Sequence, residues 1–172
     1  MKRTLALMLT AIFVLALFAG CSNPSSSSQE DTSLDDIMEK GYFIVGLDDA
    51  FPPMGYRDAD GTIVGFDIDL AKAVAEQMGI EVKFQPVVWE NIAFEVANGN
   101  VDVIWNGCTI TEKRKESFDF SDPYMENAQV VIVLSGSSYQ TLNDLAGKQI
   151  GVQDGSSAEL AIEGNAEFAA SI

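Results

Sequence analysis

The chain has 172 residues, with 26 acidic and 10 basic side chains and a net charge of −16 at pH 7. That sign repels nucleic acid and anionic membrane surfaces, so no nucleic-acid partner is expected. Histidine is absent, which removes serine–histidine and cysteine–histidine nucleophile pairs and every histidine metal ligand.

Lys2 and Arg3 precede Leu5 to Phe18, an apolar run interrupted only by Thr10. It falls short of the roughly 20 apolar residues that span a bilayer, so residues 1–20 read as a signal peptide rather than a transmembrane helix. Leu17-Phe18-Ala19-Gly20-Cys21 resembles a bacterial lipobox. That resemblance implies that Cys21 becomes the lipidated mature N-terminus; the alternative is an ordinary signal peptide that leaves Cys21 a free thiol. Residues 21–32, with Pro24 and four consecutive serines, have tether composition. Cys21 and Cys108 are too few and too far apart to suggest a disulfide framework or a zinc site.

From Ser33 onward, roughly 140 residues make one domain of ordinary size. Tyr42 to Leu47 reads as a buried strand. Phe51-Pro52-Pro53 breaks it, and Asp58-Ala59-Asp60-Gly61 predicts a hairpin turn before Thr62-Ile63-Val64. This turn resembles part of a calcium loop, but its glycine comes too early and no closing glutamate follows. Asp67 to Met78 is helical, with Ala71, Val74, Ala75 and Met78 on one face and Gly79 as the stop. Asp67 and Asp69 suit the cap and dipole of that helix. Glu81 to Gln85 alternates as a strand. A helix over Glu90 to Asn98 follows, then an apolar strand from Val101 to Trp105 with Trp105 in the core. Strand, helix, strand, helix, strand predicts a parallel α/β sheet. Thr111 is a candidate N-cap, and Thr109 with Glu112 could form a capping box. Beyond Tyr124, strands are expected at Gln129–Leu134 and Gln149–Val152, with short helices near Leu142–Leu145 and after Gly155.

Ligands of open parallel sheets bind beyond the carboxyl ends of the strands. Here those ends lead into Asp48, Asp49 and Phe51, into Trp89, and into Asn106, Gly107, Cys108 and Thr109, with Arg114 one short helix further on. Aromatic faces, small polar groups and a guanidinium suit a small zwitterion, because arginine forks onto a carboxylate. Spacing alone favours a surface pair of Arg114 with Glu116 or Asp119, and Trp89 could be core.

Gly65-Phe66-Asp67-Ile68-Asp69-Leu70 with Val74-Ala75 and Met78 resembles the signature of the bacterial extracellular solute-binding proteins of family 3. The likeness continues through Trp105 to Arg114, through Phe118-Asp119-Phe120-Ser121-Asp122-Pro123-Tyr124, and through Gly151 to Ser157. It implies an α/β, periplasmic-binding-protein-like type II fold, with two lobes of parallel and mixed sheet joined by crossing strands. Residues 33–125 would form lobe one and 126–172 an incomplete lobe two, since the family pattern continues further; a C-terminal truncation is expected on that ground. The resemblance places the ligand carboxylate on Arg114, assisted by Thr109 and the Gly107 or Thr109 backbone. It gives the α-amino group to the Asn106 carbonyl and the side-chain end to Asp48. Phe51 and Trp89 would sandwich the ligand, and Gln153, Ser156 and Ser157 would touch it from lobe two. Cys108 stands at a usually hydrophobic position and is expected to face the core.

The function implied is capture of a polar amino acid by a monomeric, lipid-anchored receptor outside the cytoplasmic membrane, which delivers it to an ABC permease without cofactor or metal. The same fold resemblance leaves two alternatives: an enzyme like the cyclohexadienyl or arogenate dehydratases, or a ligand-binding sensor module.

Overall fold

The computed structural model describes residues 31–172, so the signal peptide, Cys21 and most of the tether lie outside the described residues. The chain divides into a unit of residues 1–34 and a compact unit of residues 35–172. In the first, the Ser33 amide donates to the Asp31 carboxylate at 3.0 Å. Among the described residues, no helix is long and apolar enough to cross a membrane.

The elements run α1 (Ser33–Lys40), β1 (Tyr42–Leu47), β2 (Ala50–Phe51), β3 (Gly55–Arg57), β4 (Ile63–Val64), α2 (Phe66–Met78) and β5 (Glu81–Pro86). A 3₁₀ turn (Trp89–Asn91) leads into α3 (Ile92–Ala97), then β6 (Val103–Ile104) and α4 (Glu112–Lys115). A second 3₁₀ turn (Leu142–Leu145), α5 (Ser157–Glu163) and α6 (Ala166–Ser171) complete the order.

β1 is the middle strand of a parallel sheet ordered β5–β1–β6, as strand–helix–strand alternation requires. Phe43, Val45 and Leu47 fall at every second position of β1 and are buried. α2 covers one face through Ala71 and Ala75, with Met78, Val82, Phe84, Val103 and Trp105 packed around them. Gly79 ends α2 in the left-handed conformation (φ 71°). Asp102, the one charge in its apolar run, accepts from the Ile44 amide and from Lys40 Nζ, both at 2.7 Å, and so ties α1 to β1. The Asp58–Gly61 turn joins β3 to β4, with Asp58 Oδ1 accepting from the Asp60 and Thr62 amides at 3.0 and 2.9 Å.

The structure differs from sequence expectation at five places. Val101–Trp105 pairs as a strand only at Val103–Ile104. Gln129–Leu134 and Gln149–Val152 form no strand; Ile132 and Leu134 are 89% and 87% exposed. β-branched residues favour strands only where a neighbour accepts their hydrogen bonds and covers a face, and neither segment has such a neighbour among the described residues. The N-cap of α4 is Thr111, whose Oγ1 accepts from the Arg114 amide, so no Thr109–Glu112 box forms. Finally, Asp67 does not cap α2. Gly65 is the N-cap, and the Asp67 side chain is turned inward, 1% exposed.

Candidate functional site

The loop after β6 runs across the carboxyl end of β1, and the two are locked together. Asn106, 2% exposed, accepts the Asp48 amide on Oδ1 at 3.1 Å. Gly107 follows at φ 60°, a left-handed turn that glycine enters without strain. A Cβ there would lie 3.5 Å from the Phe51 ring and 3.6 Å from Met54, so Phe51 flanks this turn while remaining 45% exposed. The Gly107 amide is already engaged by Tyr124 Oη at 3.2 Å, and Tyr124 in turn donates to Asp67 Oδ1 at 2.9 Å.

Arg114 is carried inward by α4 and is 7% exposed. Its guanidinium donates to the Thr109 carbonyl at 3.0 Å and to the Gly155 carbonyl at 3.1 Å. The Trp89 ring lies 5.7 Å from its central carbon, a cation–π contact. Among the described residues it has no carboxylate partner: Glu116 and Asp119 form no ion pair with it. Two of its five N–H donors are thus satisfied by neutral carbonyls, and among the described residues no carboxylate forms an ion pair with it, although Glu90, Glu159 and Glu163 line the adjoining cavity. A buried charge without a counter-ion is costly, so this arrangement favours an anion from outside the protein.

Two hydroxyls stand in the same two segments. Thr109 Oγ1 and Ser157 Oγ are 3.0 Å apart; Asn127 donates to the first at 2.7 Å and Gln129 to the second at 3.0 Å. Whichever hydroxyl donates across the pair, the other keeps its own proton for a third partner. The Arg114 guanidinium and the Thr109–Ser157 hydroxyls are donors of the kind a carboxylate accepts. Gln153 Nε2 donates to Asp48 Oδ2 at 2.7 Å, linking the second region to the end of β1. Ser156 is buried and caps α5, its Oγ accepting from the Glu159 amide at 3.2 Å. A cavity of about 230 Å³ opens beside Arg114, lined by Trp89, Glu90, Phe118, Gly155 and Glu159 among others. Of the residues expected at the site only Arg114 and Trp89 line it; Asp48, Phe51, Asn106, Thr109 and Ser157 do not. The sequence-derived residues thus fall into an Arg114 set with Trp89, Thr109 and Ser157, and a β1-end set of Asp48, Phe51, Asn106, Gly107 and Gln153, while Ser156 joins neither and serves as the cap of α5.

Burial sets the protonation states nearby. It pushes the Cys108 thiol up against the opposing pull of Arg114, which keeps a half-buried, unreactive thiol. Burial also raises the Asp67 carboxyl, and the hydrogen bond from Tyr124 only partly offsets this. The Tyr124 phenol is raised by burial and then by the neighbouring Asp67 charge, so it stays a donor. A raised carboxyl binds its proton more tightly folded than unfolded, so ionised Asp67 lowers stability above its folded pKa. That penalty fades as pH falls through the folded value and is gone below the unfolded one. Accordingly, Asp67→Asn is expected to gain stability relative to the parent between pH 4 and pH 7, read as the difference in melting temperature at each pH. A difference that does not change with pH would contradict the assignment.

Asn127, Gln129, Tyr124 and Asp67 were not singled out for the site from the sequence. The available signal was slight: Asn127 and Gln129 share a face at i, i+2, and Tyr124 closes a motif whose role the spacing does not disclose.

The family model for bacterial extracellular solute-binding proteins, family 3, matches residues 43–170. The L-cystine-binding protein TcyJ of Escherichia coli (strain K12) is 31% identical over 153 residues, which is 88% of this chain and 57% of that protein. The arginine-binding extracellular protein ArtP of Bacillus subtilis (strain 168) is 35% identical over 159 residues, 92% of this chain and 58% of that one. A cyclohexadienyl dehydratase of Pseudomonas aeruginosa is 29% identical over 147 residues, 84% and 53% of the two. Among solved structures, an ABC uptake transporter substrate binding protein from Streptococcus pneumoniae with bound histidine superposes with a TM-score of 0.77 at 39% identity. The match covers 80% of this chain and 56% of that one. The chain spans a little over half the length of these relatives.

Proposed function

The chain belongs to the bacterial extracellular solute-binding proteins, family 3, and from that premise we propose that it captures a free polar amino acid outside the cytoplasm for delivery to an ABC permease. The observation that carries this reading is Arg114: buried, donating to two carbonyls, and without a carboxylate ion-pair partner among the described residues. The ligand carboxylate supplies that partner, and the Thr109–Ser157 pair adds a hydroxyl donor. Asp48, held by Gln153, receives a polar or cationic group at the other end of the ligand. Phe51 and Trp89 supply apolar faces around it. Relatives described as cystine-, arginine- and histidine-binding support an amino-acid ligand. Anchorage through a lipid on Cys21 and function as a monomer belong to the same proposal.

Thermal unfolding of the chain against the twenty amino acids tests it. One or a few polar amino acids should raise the melting temperature, since a ligand at a hundred times its Kd stabilises by about 2.7 kcal/mol. A cooperative melt that no amino acid shifts would overturn the reading. Conversion of prephenate or arogenate by the purified chain would replace it with the enzyme alternative.

A further inference from the structure

One hydrogen-bond chain at the site takes up the Gly107 amide, which the family likeness offers to the ligand carboxylate. Asp67, 1% exposed, holds the Tyr124 phenol at 2.9 Å, and the phenol oxygen accepts the Gly107 amide at 3.2 Å. Tyr124 is 45% exposed, so core packing does not fix its ring. What fixes it is this pair of hydrogen bonds, together with a tilted contact to Trp105 at 6.3 Å between centroids. Three consecutive residues of the loop are therefore gripped in turn. Trp105 is held by the Tyr124 ring, Asn106 by the Asp48 amide, and Gly107 by the Tyr124 oxygen. Thr109, whose carbonyl receives Arg114, lies two residues on. Asp67 Oδ2 is buried with no hydrogen-bond partner. α2 thus bears the cost of a poorly satisfied carboxylate whose visible consequence is to orient Tyr124.

We propose that Tyr124 and Asp67 are positioning residues: through the Gly107 amide they hold the Asn106–Thr109 loop in its ligand-receiving conformation. The consequence for affinity rests on the amino-acid receptor reading above; the clamp on the loop does not. Tyr124→Phe keeps the ring and removes only the hydroxyl. Asp67→Ala removes the acceptor, whereas Asp67→Asn retains one.

The test uses the full chain and two readouts, exchange of the Gly107 amide by NMR and Kd for whichever amino acid stabilises the parent. In Tyr124→Phe and Asp67→Ala, Gly107 should exchange about tenfold faster and Kd should rise about tenfold, the effect of one lost hydrogen bond. Asp67→Asn should stay within about threefold of the parent in both readouts. If Tyr124→Phe does not fold, the two Asp67 variants carry the comparison. Faster exchange with unchanged Kd overturns the proposal, as does weaker binding with unchanged exchange. If the parent binds no amino acid, the receptor reading fails, and Gly107 exchange alone upholds or overturns the clamp.

Discussion

Arg114→Ala is expected to abolish the stabilisation conferred by the amino-acid ligand, with Kd raised by about thirtyfold or more. Truncating one partner of a buried, hydrogen-bonded charge pair costs about 2–5 kcal/mol, and each 1.4 kcal/mol is tenfold. The carboxylate would lose its counter-charge at a guanidinium that is 7% exposed. Arg114→Lys should recover only a small part of this. A lysine keeps the charge but cannot reach the Thr109 and Gly155 carbonyls while also forking onto a carboxylate. Stability without ligand should change far less, because the parent already carries there a cation with no ion-pair partner among the described residues. Calorimetric titration of the three proteins with the stabilising amino acid decides the matter. Near-parental affinity in Arg114→Ala would remove the carboxylate subsite from Arg114.

The second large effect is on folding. Gly65→Ala is expected to lower the free energy of unfolding by about 3 kcal/mol or more, measured by urea titration, against the about 5–15 kcal/mol total of a typical domain. Gly65 stands between β4 and α2 at φ 138°, a conformation that costs any L-residue strain. A Cβ there would also lie 2.7 Å from the Met54 carbonyl carbon and 2.9 Å from Pro53 O, both rigid backbone atoms. The same approach lets the Phe66 and Asp67 amides donate to Pro53 O and Met54 O at 2.9 and 3.0 Å. Those bonds fix the loop that carries Phe51, so ligand affinity should fall along with stability. Gly61→Ala is the control. It too has positive φ (80°), but nothing lies within 4 Å of the added carbon, so it should lose only about 1–2 kcal/mol. Equal losses at the two positions would show that conformational preference alone, without the close backbone approach, explains Gly65.

The sequence by itself determined the elements whose partners are near in the chain or whose pattern is strictly periodic. The alternation of β1, the i, i+3, i+4, i+7 face of α2 and the stop at Gly79 all follow from local geometry, and so does the Asp58–Gly61 turn. The order of strands and helices then required a parallel sheet, since a parallel pair needs a crossover between its strands. Arg114 and Thr109 were legible as candidates through their residue types, their places beyond a strand end and the family likeness, and Ser157 through the family likeness alone.

Only the tertiary structure decided which side chains meet. Gln129–Leu134 has the composition of a strand and is not one, because a strand is completed by hydrogen bonds to a neighbour that composition cannot specify. Asp67 has the position of a capping residue, yet it faces inward to Tyr124, which lies 57 residues away. Arg114 has acidic neighbours in sequence and none as an ion-pair partner in space. In each case the outcome depends on desolvation and on contacts across tens of residues. Local spacing encodes propensity, whereas burial and partner choice are fixed only when the chain closes on itself.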